Sequence, residues 1–255
     1  PLISCRECDY CQEGQEDLCP RYKFLGTQID GSYAEYICVP AENVYPISNN
    51  ISYEAAAAIP TTFLPVWNIL IRNGHLKPWE TVLVLSASSG VGSAAILVAR
   101  KVVGARVIAS TSSPDKVEKA LGLCANEAIN YNQEDISDKV NDITGGRGVD
   151  MVVDHVGSQF FSKAFDSLRR GGRYGVCGVT SGYKVDLHMG NLFQKNIHIF
   201  GAFMGSKKDM AQIVAMVNQG TINPLIDRVF RLEQAADAHL LMESQNFFGK
   251  IVLRV

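Results

Sequence analysis

With 255 residues, of which 47% are hydrophobic and only 20% charged, the chain can bury a large core and make one large or two ordinary domains. Its formal charge of −2 supplies no basic field for nucleic acid or for an anionic membrane. No apolar run reaches the ~18 residues of a membrane span and no signal-peptide pattern is present, so neither a nucleic-acid nor a membrane partner is expected.

Four cysteines, Cys5, Cys8, Cys11 and Cys19, open the chain in the spacing C-x2-C-x2-C-x7-C. Thiolates on a tight loop can converge at about 2.3 Å on one Zn²⁺ without covalent strain, whereas cysteines this close in sequence are poorly placed to bridge one another. Four protein ligands leave no vertex for water. The pattern therefore predicts a closed, structural zinc site holding together a lobe with almost no core of its own. The competing reading is a disulfide loop in a secreted protein. Against it stand Cys38, Cys124 and Cys177, odd in number and set in apolar stretches (YICVP, LGLCAN, YGVCGV), where free thiols act as small hydrophobes, as expected in a reducing cytoplasmic setting. The chain starts at Pro1 with neither a Met nor a leading strand, which predicts that N-terminal sequence is missing.

Residues 1 to about 60 read as the metal loop, short strands in GSYAEYICVP and irregular connections. From Thr81 apolar runs rich in β-branched residues alternate with helical stretches. The predicted strands are TVLVLSA (81–87), ARVIAST (105–111), EAINYN (127–132), VDMVVDHV (149–156), GRYGVCGV (172–179) and NIHIFGAF (196–203). Helices are predicted through GSAAILVARKVV, from Pro114, and through FFSKAFDSLRR. Continuous apolar strands separated by crossover helices describe a parallel sheet covered on both faces, because strands buried on both sides lose the in/out alternation. Six of them predict an α/β fold with a doubly wound, nucleotide-binding sheet. Beyond Phe203 the pattern gives helices near 206–219 and 233–243 and a closing strand, GKIVLRV.

The first strand runs into Ser86-Ala87-Ser88-Ser89-Gly90-Val91-Gly92 and then a long Ala/Leu/Val helix. A pyrophosphate would meet backbone N–H groups and the positive end of the helix dipole there, beside Ser89, Gly90 and Val91. The loop departs from G-x-G-x-x-G, since alignment on Gly92 puts Ala87 and Ser89 at its first two glycines. Its position in the first turn of a six-strand series favours a dinucleotide site over a plain strand–turn–helix. An NAD site would carry Asp or Glu at the end of the second strand to accept from the ribose hydroxyls. This chain has Ser110-Thr111-Ser112-Ser113-Pro114-Asp115-Lys116 instead. Hydroxyls and Lys116 suit a 2′-phosphate, and Asp115 reads as a first-turn residue facing solvent, so NADP(H) is favoured with NAD(H) as the alternative.

Taken together, the cysteine lobe, AAAAIPTTFLPVWNIL, the SASSGVG turn, VVDHVGS, LRRGGRYGVCGVTSG and the closing FGKIVLRV resemble the zinc-containing alcohol dehydrogenase-like branch of the medium-chain dehydrogenase/reductase family, close to its quinone reductase-like members. The resemblance covers the whole chain and implies that about 90 residues of a GroES-like, β-rich barrel precede it. It implies three parts: the remainder of that catalytic domain (1–61), a Rossmann domain (62–200) and a C-terminal return to the catalytic domain (201–255). It places Cys5, Cys8, Cys11 and Cys19 on the family's structural zinc. The family's catalytic zinc takes one ligand from a position that, counted back from Trp67, falls on Thr61, and a neutral hydroxyl is a poor zinc ligand. The resemblance thus implies that Thr61 or Thr62 faces the nicotinamide without a firmly held metal, the alternative being a threonine that merely caps its helix. Similarity to the quinone reductases implies a 2′-phosphate grip by Ser112, Lys116 and Tyr131; Tyr131 is otherwise an ordinary strand-end aromatic. His155 and Val156 end the fourth strand and Gly178, Val179 and Thr180 the fifth, where ligands cross a doubly wound sheet. His155 then reads as a general acid, a packed strand-end residue or a cofactor contact.

The first functional reading is an NAD(P)H-dependent oxidoreductase moving hydride to or from a carbonyl, an alcohol or an activated alkene, with the protein supplying orientation. The second is a zinc-dependent alcohol dehydrogenase whose catalytic-zinc ligands lie upstream. The third is a non-catalytic nucleotide-binding scaffold, against which stands the lack of a basic stripe. A small-molecule substrate is expected, of unspecified identity. NIHIFGAF, as an apolar strand at the sheet edge, predicts a homodimer or homotetramer joined through residues 192–203.

Overall fold

A computed structural model describes all 255 residues. The cysteine lobe contains β1 (Leu2–Ile3), α1 (Asp9–Gln12) and β2 (Lys23–Phe24), with β1 and β2 antiparallel and Leu2 opposite Phe24. The strands expected in GSYAEYICVP do not form: residues 31–40 run as bends and irregular chain. Tyr33, Tyr36 and Ile37 are exposed there, and an extended segment needs a neighbouring strand to take up its ladder hydrogen bonds.

Two helices follow. Ser52 caps α2 (Tyr53–Ala57) by accepting from Ala55 N at 3.2 Å, and Pro60 starts α3 (Pro60–Trp67), where its missing N–H costs nothing. α3 runs on as a wide π turn over Asn68–Asn73. The sheet then builds from β3 (Thr81–Val84), α4 (Gly90–Leu97, continued by a π segment to Val103), β4 (Arg106–Thr111), α5 (Pro114–Gly122), β5 (Glu127–Asn130), α6 (Ile136–Thr144), β6 (Val149–Asp154), α7 (Phe161–Asp166), β7 (Leu168–Val176), α8 (Met189–Gln194) and β8 (His198–Gly201). All six strands are parallel, in the order β5-β4-β3-β6-β7-β8. This is the doubly wound α/β sheet expected, with its order reversing between β3 and β6.

Successive residues of one strand feed two cores. Val82 and Val84 of β3 pack with α3, α4 and Ile213 beyond them, whereas Leu83 and Leu85 pack with Ile136, Val140, Phe161 and Phe165 on the other face. Of the sheet helices, α6 and α8 escaped the pattern reading. For α6 the local signals were present: Asp135 accepts from Ser137 N at 2.8 Å as N-cap, and Gly145 at φ +61° ends the helix. At the end of the sheet away from the strand C-termini, wholly buried Asp150 accepts from Thr81 N at 2.8 Å and pairs with Arg147 and Arg169.

After the sheet come α9 (Lys207–Asn218), β9 (Ile226–Arg231), α10 (Ala235–Ser244) and β10 (Lys250–Arg254). β9, not anticipated, pairs in parallel with β10 in a separate two-stranded sheet. Arg254 of β10 forms an ion pair with Glu54 of α2, which brings the C-terminal strand back to the N-terminal part. Arg72 of the π turn bridges Asp17 of the cysteine lobe and Asp209 of α9, fastening the lobe to the sheet domain. No helix is long and apolar enough to cross a membrane.

Candidate dinucleotide site and metal lobe

The loop between β3 and α4 is built from behind by β4. Ala87 N donates to Ser110 O at 2.8 Å and Ser86 N to Ser110 Oγ at 3.3 Å, so the wholly buried Ser110 shapes the loop. Ser86 turns the chain at φ +46°. Ser89 caps α4, its Oγ accepting from Gly92 N at 2.8 Å, and Val91 is half-buried on the first turn. A Cβ on Gly92 would stand 2.6 Å from Ala87 Cα, so only glycine lets helix and strand approach this closely. The free N–H groups of the first turn and the helix dipole together are suited to an anion.

The ends of β6 and β7 flank this loop. His155 is buried, with Nε2 2.7 Å from Ser89 Oγ, while Nδ1 has no partner. Burial pushes its pKa down to about 4, so the ring is neutral at physiological pH. Val156 is buried, its N–H donating to Asp154 Oδ1 at 2.7 Å. Gly178 packs against the His155 carbonyl, which a Cβ would approach to 2.8 Å. Thr180 is exposed, its hydroxyl 3.5 Å from the same carbonyl.

At the end of β4, Lys116 of α5 is buried and donates from Nζ to Gln245 O at 2.6 Å and to Ser112 Oγ at 3.3 Å. Burial lowers its pKa, an effect that nearby Asp115 and Asp227 partly offset, and no carboxylate pairs with it. Asp115 is exposed and bonded to Ser113 and Lys119, as expected of a solvent-facing first-turn residue. Tyr131 lies across from Phe160, ring centroids 4.6 Å apart, and its backbone N–H donates to Thr111 O at 2.9 Å. Asn132 donates to Ser112 O at 2.7 Å. Ser112, Lys116 and Asn132 thus meet at one end of the strand, with Tyr131 adjoining.

Thr61 and Thr62 divide. Thr61 is exposed on the first turn of α3, whereas Thr62 is buried, its hydroxyl donating to Ala58 O at 2.5 Å and its methyl facing Gly90. Only Thr61 keeps a free hydroxyl.

Sequence reasoning missed Lys250. This half-buried lysine opens β10, its Cδ 3.2 Å from where a Gly90 Cβ would lie, and Gly249 N beside it donates to Ser88 O at 2.8 Å. Its ammonium has no hydrogen-bond or ion-pair partner, and burial lowers its pKa. No local signal could have found it, because the contact joins the last strand to the first loop of the sheet.

The four lobe cysteines converge as the spacing predicts. Their sulfurs all lie within 4.8 Å of one another, Cys8 and Cys11 at 3.5 Å and Cys5 and Cys11 at 3.8 Å. Tetrahedral thiolates at the Zn–S distance of about 2.3 Å are separated by about 3.8 Å, so the donor set fits zinc. Cys5 N donates to Cys19 Sγ at 3.4 Å and Arg21 to Cys5 Sγ at 3.3 Å. The backbone N–H of Glu7 is the main cause of a Cys5 pKa lowered to about 6. None of the seven cysteines is joined in a disulfide.

A model of the zinc-binding dehydrogenases matches residues 90–219, and one of the alcohol dehydrogenase GroES-like domain matches residues 1–49. Over the whole chain the sequence is 30% identical to a NAD-dependent alcohol dehydrogenase of Sulfolobus acidocaldarius, covering 73% of that protein. The chain belongs to the medium-chain dehydrogenase/reductase family. This dehydrogenase/reductase is also 30% identical to quinone oxidoreductase-like protein 2 of Rattus norvegicus, over 91% of its own length and 69% of the rat protein. Among solved structures, a crystal structure of a NAD-dependent alcohol dehydrogenase shares its fold with a TM-score of 0.95 and 42% identity, the whole of this chain covering 74% of that one. The expected family, α/β fold class and oxidoreductase activity all agree with these matches.

Proposed function

We propose that this dehydrogenase/reductase transfers hydride between NADP(H) and a small carbonyl, alcohol or activated-alkene substrate. The observation that supports the reading is a pair of lysines without salt-bridge partners, Lys250 against the Ser89–Gly90–Val91 loop and Lys116 beside Ser112, where the pyrophosphate and the 2′-phosphate are proposed to lie. An ammonium that is partly buried without an opposite charge in contact favours the arrival of an anion, most of all at Lys250, which has no hydrogen-bond partner either. When bound, the dinucleotide would supply the hydride to a carbonyl or activated alkene, or accept it from an alcohol. The chain's own residues bind and orient it: the α4 N–H groups and Lys250 take the pyrophosphate, Ser112, Lys116 and Tyr131 take the 2′-phosphate, and His155, Val156, Gly178 and Thr180 line the strand ends it crosses. Ser110 contributes indirectly, by shaping the loop. Thr61 offers a hydroxyl to the substrate oxygen as charge develops there. Cys5, Cys8, Cys11 and Cys19 hold a structural zinc that fixes the lobe.

Residues 1–61 and 201–255 are proposed to act as one catalytic portion around the 62–200 Rossmann domain, a reading supported by the Arg254–Glu54 ion pair. We further propose a cytoplasmic homodimer or homotetramer joined through residues 192–203, with Ile199 exposed on the β8 edge and Met189 and Phe193 exposed on α8. A second reading, NAD(H)-dependent alcohol oxidation at a catalytic zinc, is favoured by the names of the relatives. Against it, the position in this chain that the resemblance assigns to a catalytic-zinc ligand holds Thr61, and a neutral hydroxyl is a poor zinc ligand. Fluorescence titration with NADPH and NADH decides the cofactor. NADPH should bind more tightly, Lys116→Ala should remove about 1–3 kcal/mol of that preference, and Lys250→Ala should weaken both. Equal affinity of the parent protein for the two would refute the NADP assignment.

A further inference from the structure

His155 stands directly behind the phosphate loop, and its two ring nitrogens differ sharply in surroundings. Nε2 lies 2.7 Å from Ser89 Oγ, whereas Nδ1 is buried with no partner at all. A neutral imidazole carries one proton. On Nδ1 that proton would be a buried donor with nothing to accept it, the rarest kind of unsatisfied group. On Nε2 it points at Ser89 Oγ. That oxygen already accepts Gly92 N–H at 2.8 Å, so both of its lone pairs are then filled. Its single hydrogen is then left to the remaining tetrahedral direction, and Ser89 stands at the N-terminus of α4, where the first N–H groups also lack intrahelical acceptors.

We propose that His155 is a positioning residue that donates from Nε2 and so makes the Ser89 hydroxyl a fixed hydrogen-bond donor to the cofactor's pyrophosphate. The inference rests on the reading of this loop as the dinucleotide site. Burial keeps the ring neutral down to a pKa of about 4, so the tautomer holds throughout the physiological range. Its surroundings hold the residue still. Asp154 accepts from Val156 N at 2.7 Å, from Gly157 N at 3.0 Å and from the Tyr174 hydroxyl at 2.8 Å, which fixes the turn on one side. Gly178 closes over the His155 carbonyl on the other, where any side chain would collide. With the opposite tautomer, Ser89 would donate to the ring and present only an acceptor to an anion.

The test combines spectroscopy with binding. In the ¹⁵N spectrum of the intact parent protein at pH 7, the ring proton of His155 should couple to Nε2; coupling to Nδ1 would overturn the inference even if every variant misfolded. His155→Leu should bind NADPH about tenfold more weakly, the loss of one charge-assisted contact. His155→Gln, whose amide can place an N–H where Nε2 stood, should restore binding to within about twofold. Adenosine 2′-monophosphate, which lacks the pyrophosphate, should bind all three proteins alike. Unchanged NADPH affinity in a folded His155→Leu protein would also overturn the inference while leaving the dinucleotide site intact. A parent protein that binds neither dinucleotide would overturn the site itself, and the inference with it.

Discussion

Replacing Arg72 by Met should loosen the cysteine lobe from the sheet domain, because one guanidinium pairs with two buried carboxylates from distant parts of the chain. Asp17 and Asp209 have side chains only 3% and 6% exposed, and Arg72 donates to Asp17 Oδ1 at 3.1 Å and to Asp209 Oδ2 at 2.9 Å. Without the cation, Asp209 keeps the Ser206 N–H at 2.8 Å, but Asp17 keeps only Asn68 Nδ2 at 3.4 Å. Breaking a buried pair costs about 3–5 kcal/mol, and since Arg72 itself is 29% exposed, water screens part of that and the lower end applies, about 3 kcal/mol. For a chain of this size that corresponds to a fall of roughly 6–12 °C in Tm. Thermal unfolding followed by circular dichroism measures it, and limited proteolysis within residues 1–25 reports whether the lobe detaches first. The argument also requires coupling. Asp17→Asn should cost much less in the Arg72→Met background than in the parent, since the charge it removes is then unpaired. Additive effects, or a fall of under 2 °C for Arg72→Met, would refute the clamp.

Elemental analysis should find about one zinc per chain, and Cys8→Ser should unfold the lobe while leaving the sheet intact; under half an equivalent would overturn the metal assignment. His155 titrates near 6.5 when unfolded but at about 4 in the native state, so between those values the unfolded chain binds more protons and stability falls as pH drops, by about 3 kcal/mol across the window. His155→Leu should flatten that part of the stability curve, and an unchanged slope would show that the ring is solvated. Light scattering should give a dimer or larger for the parent and a monomer or aggregate for Ile199→Pro, which removes a ladder donor from the β8 edge; a monomeric parent at micromolar concentration would sink the interface.

The repeating signals were legible in the chain itself. Six β-branched runs specified the parallel sheet, because strands buried on both faces need apolar residues throughout, and every one of them became a strand of the six. The ends were less legible: TVLVLSA reads as seven residues of strand, but β3 stops at Val84, since Leu85 and Ala87 serve both core and loop. The cysteine spacing foretold four sulfurs at one point, as short-range geometry can. α8 and β9 were missed because their residues are largely half-exposed and carry little periodic apolar signal. Only the tertiary structure could separate buried Thr62 from exposed Thr61, join Asp17 to Arg72 and Asp209, or set His155 against Ser89. It alone brought Lys250 from the last strand to the loop at Gly90. Those pairings span tens to hundreds of residues, and a sequence pattern records which groups must be buried locally, not which distant group will meet them once the layers close.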